Sequence, residues 1–80
     1  MTAMRAKMQL SSITNYGQSE QLNFNAVAAK SYPEDGSDED NTYAKFSPSG
    51  EVRIMVANPA LIGKFKVGEK YYVDFTAAPA

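Results

Sequence analysis

Hydrophobic and polar residues alternate along most of this chain. In "RAKMQL", Ala6, Met8 and Leu10 share one side while Arg5, Lys7 and Gln9 share the other, the period of a half-buried strand. Ile13 falls out of phase with Leu10, and a bulge near Ser11 and Ser12 would restore the register by inserting one residue. "NYGQSE" follows with Asn and Gly, residues that tolerate positive φ, and predicts a hairpin turn. A second strand is expected in "EQLNFNAVAAK", where Leu22, Phe24, Ala26 and Ala28 alternate with Gln21, Asn23 and Asn25.

Beyond residue 41 the alternation resumes. "TYAKF" sets Tyr43 and Lys45 against Ala44 and Phe46, and "EVRIMVA" sets Val52, Ile54 and Val56 against Glu51, Arg53 and Met55. The tight turn "SPSG" between them predicts a hairpin of these two segments. "NPALIGKF" breaks the period: Asn58 can cap, Pro59 suits a first helical position and Gly63 can end a turn. One turn of 3₁₀ or α-helix is expected here, with Leu61, Ile62 or Phe65 plugging the end of the core. A last strand, "KYYVDF", places Tyr71, Val73 and Phe75 on one face and Tyr72 and Asp74 on the other.

Five short strands with a helical turn before the last predict a single all-β domain over residues 1–80, a small barrel or rolled antiparallel sheet. An SH3-like barrel is favoured because its short helical turn precedes the final strand. An OB-fold is the alternative, but its helix sits between the third and fourth strands. Residues 76–80 are expected as an extended tail.

Eighty residues bury only about 60 to 65% of the surface that the unfolded chain exposes, so the core is small and dependence on a partner or a second copy is expected. The chain has no Cys and no His. Disulfides and thiolate metal sites are thereby excluded, and the usual base and nucleophile of neutral-pH catalysis are missing. The five glycines are isolated and form no phosphate cradle. No enzymatic activity and no cofactor are expected. No apolar run reaches the roughly 18 residues that span a bilayer, and the first residues lack a signal-peptide stretch, so a soluble protein without membrane contact is the reading.

The acidic residues are unevenly placed. Glu34, Asp35, Asp38, Glu39 and Asp40 lie within seven positions, leaving Glu20, Glu51, Glu69 and Asp74 against eight Lys and Arg, a balance of +4 on the rest of the chain. Only oxygen ligands are available for a metal, and the segment lacks the spacing of an EF-hand loop. Residues 31–41 are therefore read as an exposed, solvated connection, with Ca²⁺ binding and docking to a basic partner as the other readings. The phenylalanines fall in phase with the core. Tyr43 and Tyr72, set beside Arg5, Lys7, Lys45 and Arg53, form a candidate contact surface: for a protein, as tyrosines often serve, or alternatively for single-stranded nucleic acid through base stacking.

From residue 40 to the end the chain resembles a recurrent type of short protein encoded by tailed bacteriophages, largely without assigned roles. The resemblance is carried by the turn Ser47, Pro48, Ser49, Gly50, by Asn58, Pro59, Ala60, and by the stretch from Gly68 through Tyr71, Tyr72, Val73, Asp74 and Phe75 to Thr76. It implies a phage source and brings no catalytic residues. The expected function is a virion accessory protein, such as a capsid decoration or cement subunit. A single-strand nucleic-acid binder and an inhibitor of a host defence complex are the alternatives. The partner would be a capsid or other virion protein, with homo-oligomerisation compatible, and the location the virion or the host cytoplasm.

Overall fold

The computed structural model describes residues 2–28, 31, 33–38, 40–45 and 47–80. They form four strands, β1 (Thr2–Asn15), β2 (Glu20–Ala26), β3 (Glu51–Val56) and β4 (Lys70–Thr76). These make one antiparallel sheet in the order β3-β2-β1-β4. The all-β expectation holds. The sheet is a curled half-barrel with β3 and β4 as open edges.

β1 and β2 form the expected hairpin. Gly17 takes a φ of 90°, its N–H bonds Asn15 Oδ1 at 2.6 Å, and Tyr16 N–H bonds the Ser19 carbonyl at 2.8 Å. The register shifts between Leu10 and Ser12, where the slip in hydrophobic phase placed the bulge. The extra residue returns Ile13 to the apolar face opposite Leu22.

Two expectations do not survive. Residues 42–45 are not a strand paired with β3: residues 42 and 43 form a turn, closed by the Ala44 N–H on the Asn41 carbonyl at 3.1 Å. β3 instead pairs with β2, placing Val52 against Phe24 and Ile54 against Leu22. The described residues also form no helix before the last strand, where one turn of 3₁₀ or α-helix was expected. Asn58 does start a turn, its Oδ1 accepting from Ala60 N–H at 3.0 Å and its carbonyl from Leu61 N–H at 2.9 Å. A second turn then closes at Lys64, with Gly63 at φ 82°, so separate i to i+3 bonds replace a continuous helical ladder. Residues 77–80 carry no secondary structure and are exposed.

Ala6, Met8, Leu10, Leu22, Phe24 and Val56 form the core, on one face of the sheet. Tyr43, Ile62, Phe65, Tyr71 and Val73 pack against it, with Tyr71 edge-on to Phe24 and to Phe65 at ring separations of 5.9 and 5.4 Å. Burying Leu10, Leu22 or Phe24 contributes about 1.5–3 kcal/mol each. The body measures 47 × 33 × 15 Å, one sheet with a thin cover. Its radius of gyration, 14.4 Å, exceeds the roughly 12 Å of a compact 80-residue domain.

Candidate functional site

The site begins with an incomplete edge. β4 pairs with β1 from Thr2 to Gln9, but β2 pairs only from Met8 onward. The backbone groups of Arg5 and Lys7 on the β2 side therefore need other partners. Val27 N–H bonds the Lys7 carbonyl at 3.0 Å, extending β2 by one step. The rest comes from the acidic segment: Asn41 Oδ1 accepts from Lys7 N–H at 2.8 Å, while Thr42 Oγ1 accepts from Arg5 N–H at 2.8 Å and Thr42 N–H bonds the Arg5 carbonyl at 2.9 Å.

That segment is only partly a solvated connection. Glu34 and Asp35 are exposed, and Ser37 N–H holds Asp35 below the usual carboxylate range. Asp38 is 7% exposed and Asn41 fully buried, which corrects the expectation of free solvation for this end. Asp38 Oδ1 accepts the N–H groups of Asp40 and Asn41 at 3.0 and 3.1 Å, and its Oδ2 accepts Asn41 Nδ2 at 3.1 Å. The same Nδ2 donates to the Val27 carbonyl at 2.7 Å. Every polar atom of the Asn41 side chain is thus used, the condition for burying an amide without penalty. Glu39 lies outside the described residues, as does the core expectation for Phe46.

Anchoring the segment carries Asp40 over the polar face of the sheet. Tyr72 Oη donates to Asp40 Oδ1 at 2.7 Å and Lys7 Nζ donates to Oδ2 at 3.3 Å. Lys7 and Tyr72 are direct neighbours across β1 and β4, and so are Arg5 and Asp74. Arg5 Nε and Nη2 grip the two Asp74 oxygens at 2.7 and 3.3 Å, and its guanidinium lies 4.4 Å from the Tyr72 ring centroid. The Tyr72 hydrogen bond, then Lys7, holds Asp40 below the usual carboxylate range. Reciprocally, Asp40 raises the Tyr72 phenol above its ordinary value. Arg5 and Lys7 are balanced by Asp40 and Asp74, so the cluster is neutral, and exposure to solvent makes it an orienting device more than a source of stability.

Of the six residues expected to form one contact surface, Arg5, Lys7 and Tyr72 come together here. Tyr43 packs instead against the core on the apolar side, beside Gly50. Lys45 is exposed in the connection. Arg53 sits on β3, with β2 between it and β1; its cross-strand neighbour is Asn23, part of a mat in which Ser11, Ser12, Gln21, Asn23 and Asn25 bond one another. Sequence reasoning passed over Asn41, Asp74 and Glu20. Asp74 shares the phase of Tyr72, which was the available signal. Glu20 starts β2 on the apolar face, and its Oε1 accepts from Gly63 N–H at 3.1 Å, tying the 58–63 turns across the sheet end.

Among the described residues no group of three or more acidic side chains could hold a metal ion. An open groove of about 590 Å³ is lined by Gly17, Gln18, Ala57, Pro59 and Ile62, none of them an acid, base or nucleophile. What the molecule displays is unfilled apolar surface: on the core face Ile54 is 48% and Phe75 45% exposed, with Met4 and Leu61 similarly open. Comparison with family models, curated proteins and solved structures yields no match to this chain.

Proposed function

We propose that this chain is a non-enzymatic interaction module, a virion accessory protein of a tailed bacteriophage such as a capsid decoration or cement subunit. The observation that carries the reading is the incompletely covered core face. The chain exposes 5766 Å², whereas a compact monomer of this mass exposes about 4,700 Å². Part of the surplus is apolar and belongs to the inner face of the sheet, at Ile54 on the β3 edge and Phe75 on the β4 edge, the two open edges that a covering macromolecule would meet. On this reading the barrel-like closure expected from the strand order, SH3-like before OB-like, is supplied from outside the chain.

Single-strand nucleic-acid binding has less support. Two of the cations it would use, Arg5 and Lys7, are engaged by Asp74 and Asp40, and Tyr72 is covered on one side by the Arg5 guanidinium. Mass spectrometry of purified virions of the encoding phage tests the proposal. Recovery at a fixed ratio to the capsid protein is expected, and absence from virions that package DNA normally would end it.

A further inference from the structure

The outer edge of β4 presents a defined row of backbone groups. Leu10 N–H bonds the Glu69 carbonyl at 3.0 Å, and Gly68 N–H bonds the Leu10 carbonyl at 2.8 Å. Leu10 therefore turns its peptide groups toward β4, while Arg5 and Lys7, in the opposite phase, turn theirs toward residues 41 and 42. With Ala6 opposite Val73 and Met8 opposite Tyr71, the alternation of an antiparallel ladder leaves the N–H and C=O groups of Lys70, Tyr72 and Asp74 pointing away from the sheet. Among the described residues these groups meet no backbone partner.

We infer that the β4 edge joins two copies of this chain, paired antiparallel about a two-fold axis through Tyr72. The sequence of β4 is self-complementary in that register. Lys70 faces Asp74 of the second copy, and the pair repeats on the other side of the axis. A slip that set Asp74 against its own copy would place like charges in direct opposition. Period two keeps Tyr71 and Val73 on the apolar side, so each Tyr71 meets the second copy's Val73 and the inner face runs on unbroken.

The edge is prepared for pairing. Tyr72 and Asp74 are held by Asp40 and Arg5, so their side chains lose little further freedom on association. β4 has neither a proline nor an inward-pointing charge to block pairing, and the charges it does carry, Lys70 and Asp74, complement each other in the two-fold register. On β3 a two-fold through Arg53 would oppose two guanidinium groups. The surplus surface, about 1,000 Å² over a compact monomer, compares with the roughly 800 Å² per partner of a standard interface.

Sedimentation equilibrium on the purified chain tests this. Twice the chain mass is expected at micromolar to submillimolar concentration. Lys70→Glu puts two acidic residues in opposition, and Lys70→Pro deletes an outward N–H. Lys70 is exposed and has no side-chain partner in the sheet, so both variants should keep the wild-type circular dichroism spectrum. Each should raise the dimer dissociation constant at least tenfold. Slowed hydrogen exchange at Tyr72 and Asp74 in the wild-type dimer, restored to fast exchange in the variants, is the accompanying signature. A wild-type monomer at several hundred micromolar, or a dimer indifferent to both substitutions, overturns the inference. The virion assay is a separate outcome: a dimer absent from virions keeps this inference and removes the proposed function.

Discussion

The side-chain amide of Asn41 stands where β2 would otherwise have continued along β1, its Oδ1 accepting the backbone N–H of Lys7 at 2.8 Å. A single residue from a hydrophilic connection thus completes a sheet edge. Asn41→Ala would strand the Lys7 N–H and the Val27 carbonyl, and each buried unsatisfied group costs about 1–3 kcal/mol. The two together cost about 2–6 kcal/mol, a fall in Tm of at least about 8 °C in a domain of this size, readable in a thermal melt. A variant that melts within a few degrees of wild type would show that water replaces the amide.

The acidic residues separate into two classes. Glu34→Gln and Asp35→Asn should leave Tm within about 2 °C, because surface substitutions away from buried features change little. Asp38→Ala removes the acceptor of two backbone N–H groups and should cost about 1–2 kcal/mol, as a lost cap does. Urea titrations of the three variants distinguish the classes, and equal midpoints would contradict the anchoring role of Asp38.

The pair Asp40 and Tyr72 predicts a pH window. Asp40 is depressed in the folded state, so its contribution is present above the ordinary carboxylate pKa, near 4, and is lost as pH falls through the lower folded value. Tyr72 is raised, so its contribution is present below about pH 10 and is lost as pH rises through the higher folded value. The difference in Tm between wild type and Tyr72→Phe should therefore be widest between about pH 5 and 9 and shrink toward both extremes. A difference independent of pH would mean that the hydroxyl acts only through packing.

The inner face predicts unequal costs for similar truncations. Leu10 is fully buried, and Leu10→Ala should cost about 2–5 kcal/mol, a large part of the total stability of a small domain. Ile54, on the same face but half-exposed, should cost clearly less than Leu10 when likewise changed to Ala, because only part of its side chain is withdrawn from water. If a partner covers it, the same change weakens binding far more than folding, which a parallel measurement of Tm and affinity would separate.

Several features of the fold were legible from local chemistry. The out-of-phase Ile13 located the bulge, and Asn15 with Gly17 located the hairpin turn. Alternation also sorted nearly every strand residue to its correct face. It says which side a residue takes, and nothing about which strand lies next to it. For that reason β3 could be matched to residues 42–46 through a plausible turn, while its neighbour is β2. The polar cluster escaped for the same reason. Arg5 and Asp74 are separated by 69 positions, and no local pattern encodes their meeting. Asn41 and Asp38 looked like solvated residues because amides and carboxylates usually are. Their burial depends on an edge of β1 left open by the short β2, a fact of topology and not of composition.

Register along β1 and β4 sets Thr2 opposite Thr76, bringing the start of the first strand and the end of the last together at one corner. The β1 and β2 hairpin can form as soon as those residues exist, whereas β1 must wait for nearly the whole chain before its other side is satisfied. Such sequence-distant pairing slows folding, and a chain interrupted before β4 would leave β1 from Thr2 to Gln9 without its partner on that side. The same corner also makes the chain a natural candidate for circular permutation: a short linker across it, with new ends opened among the exposed residues near Glu34, should preserve every strand pairing.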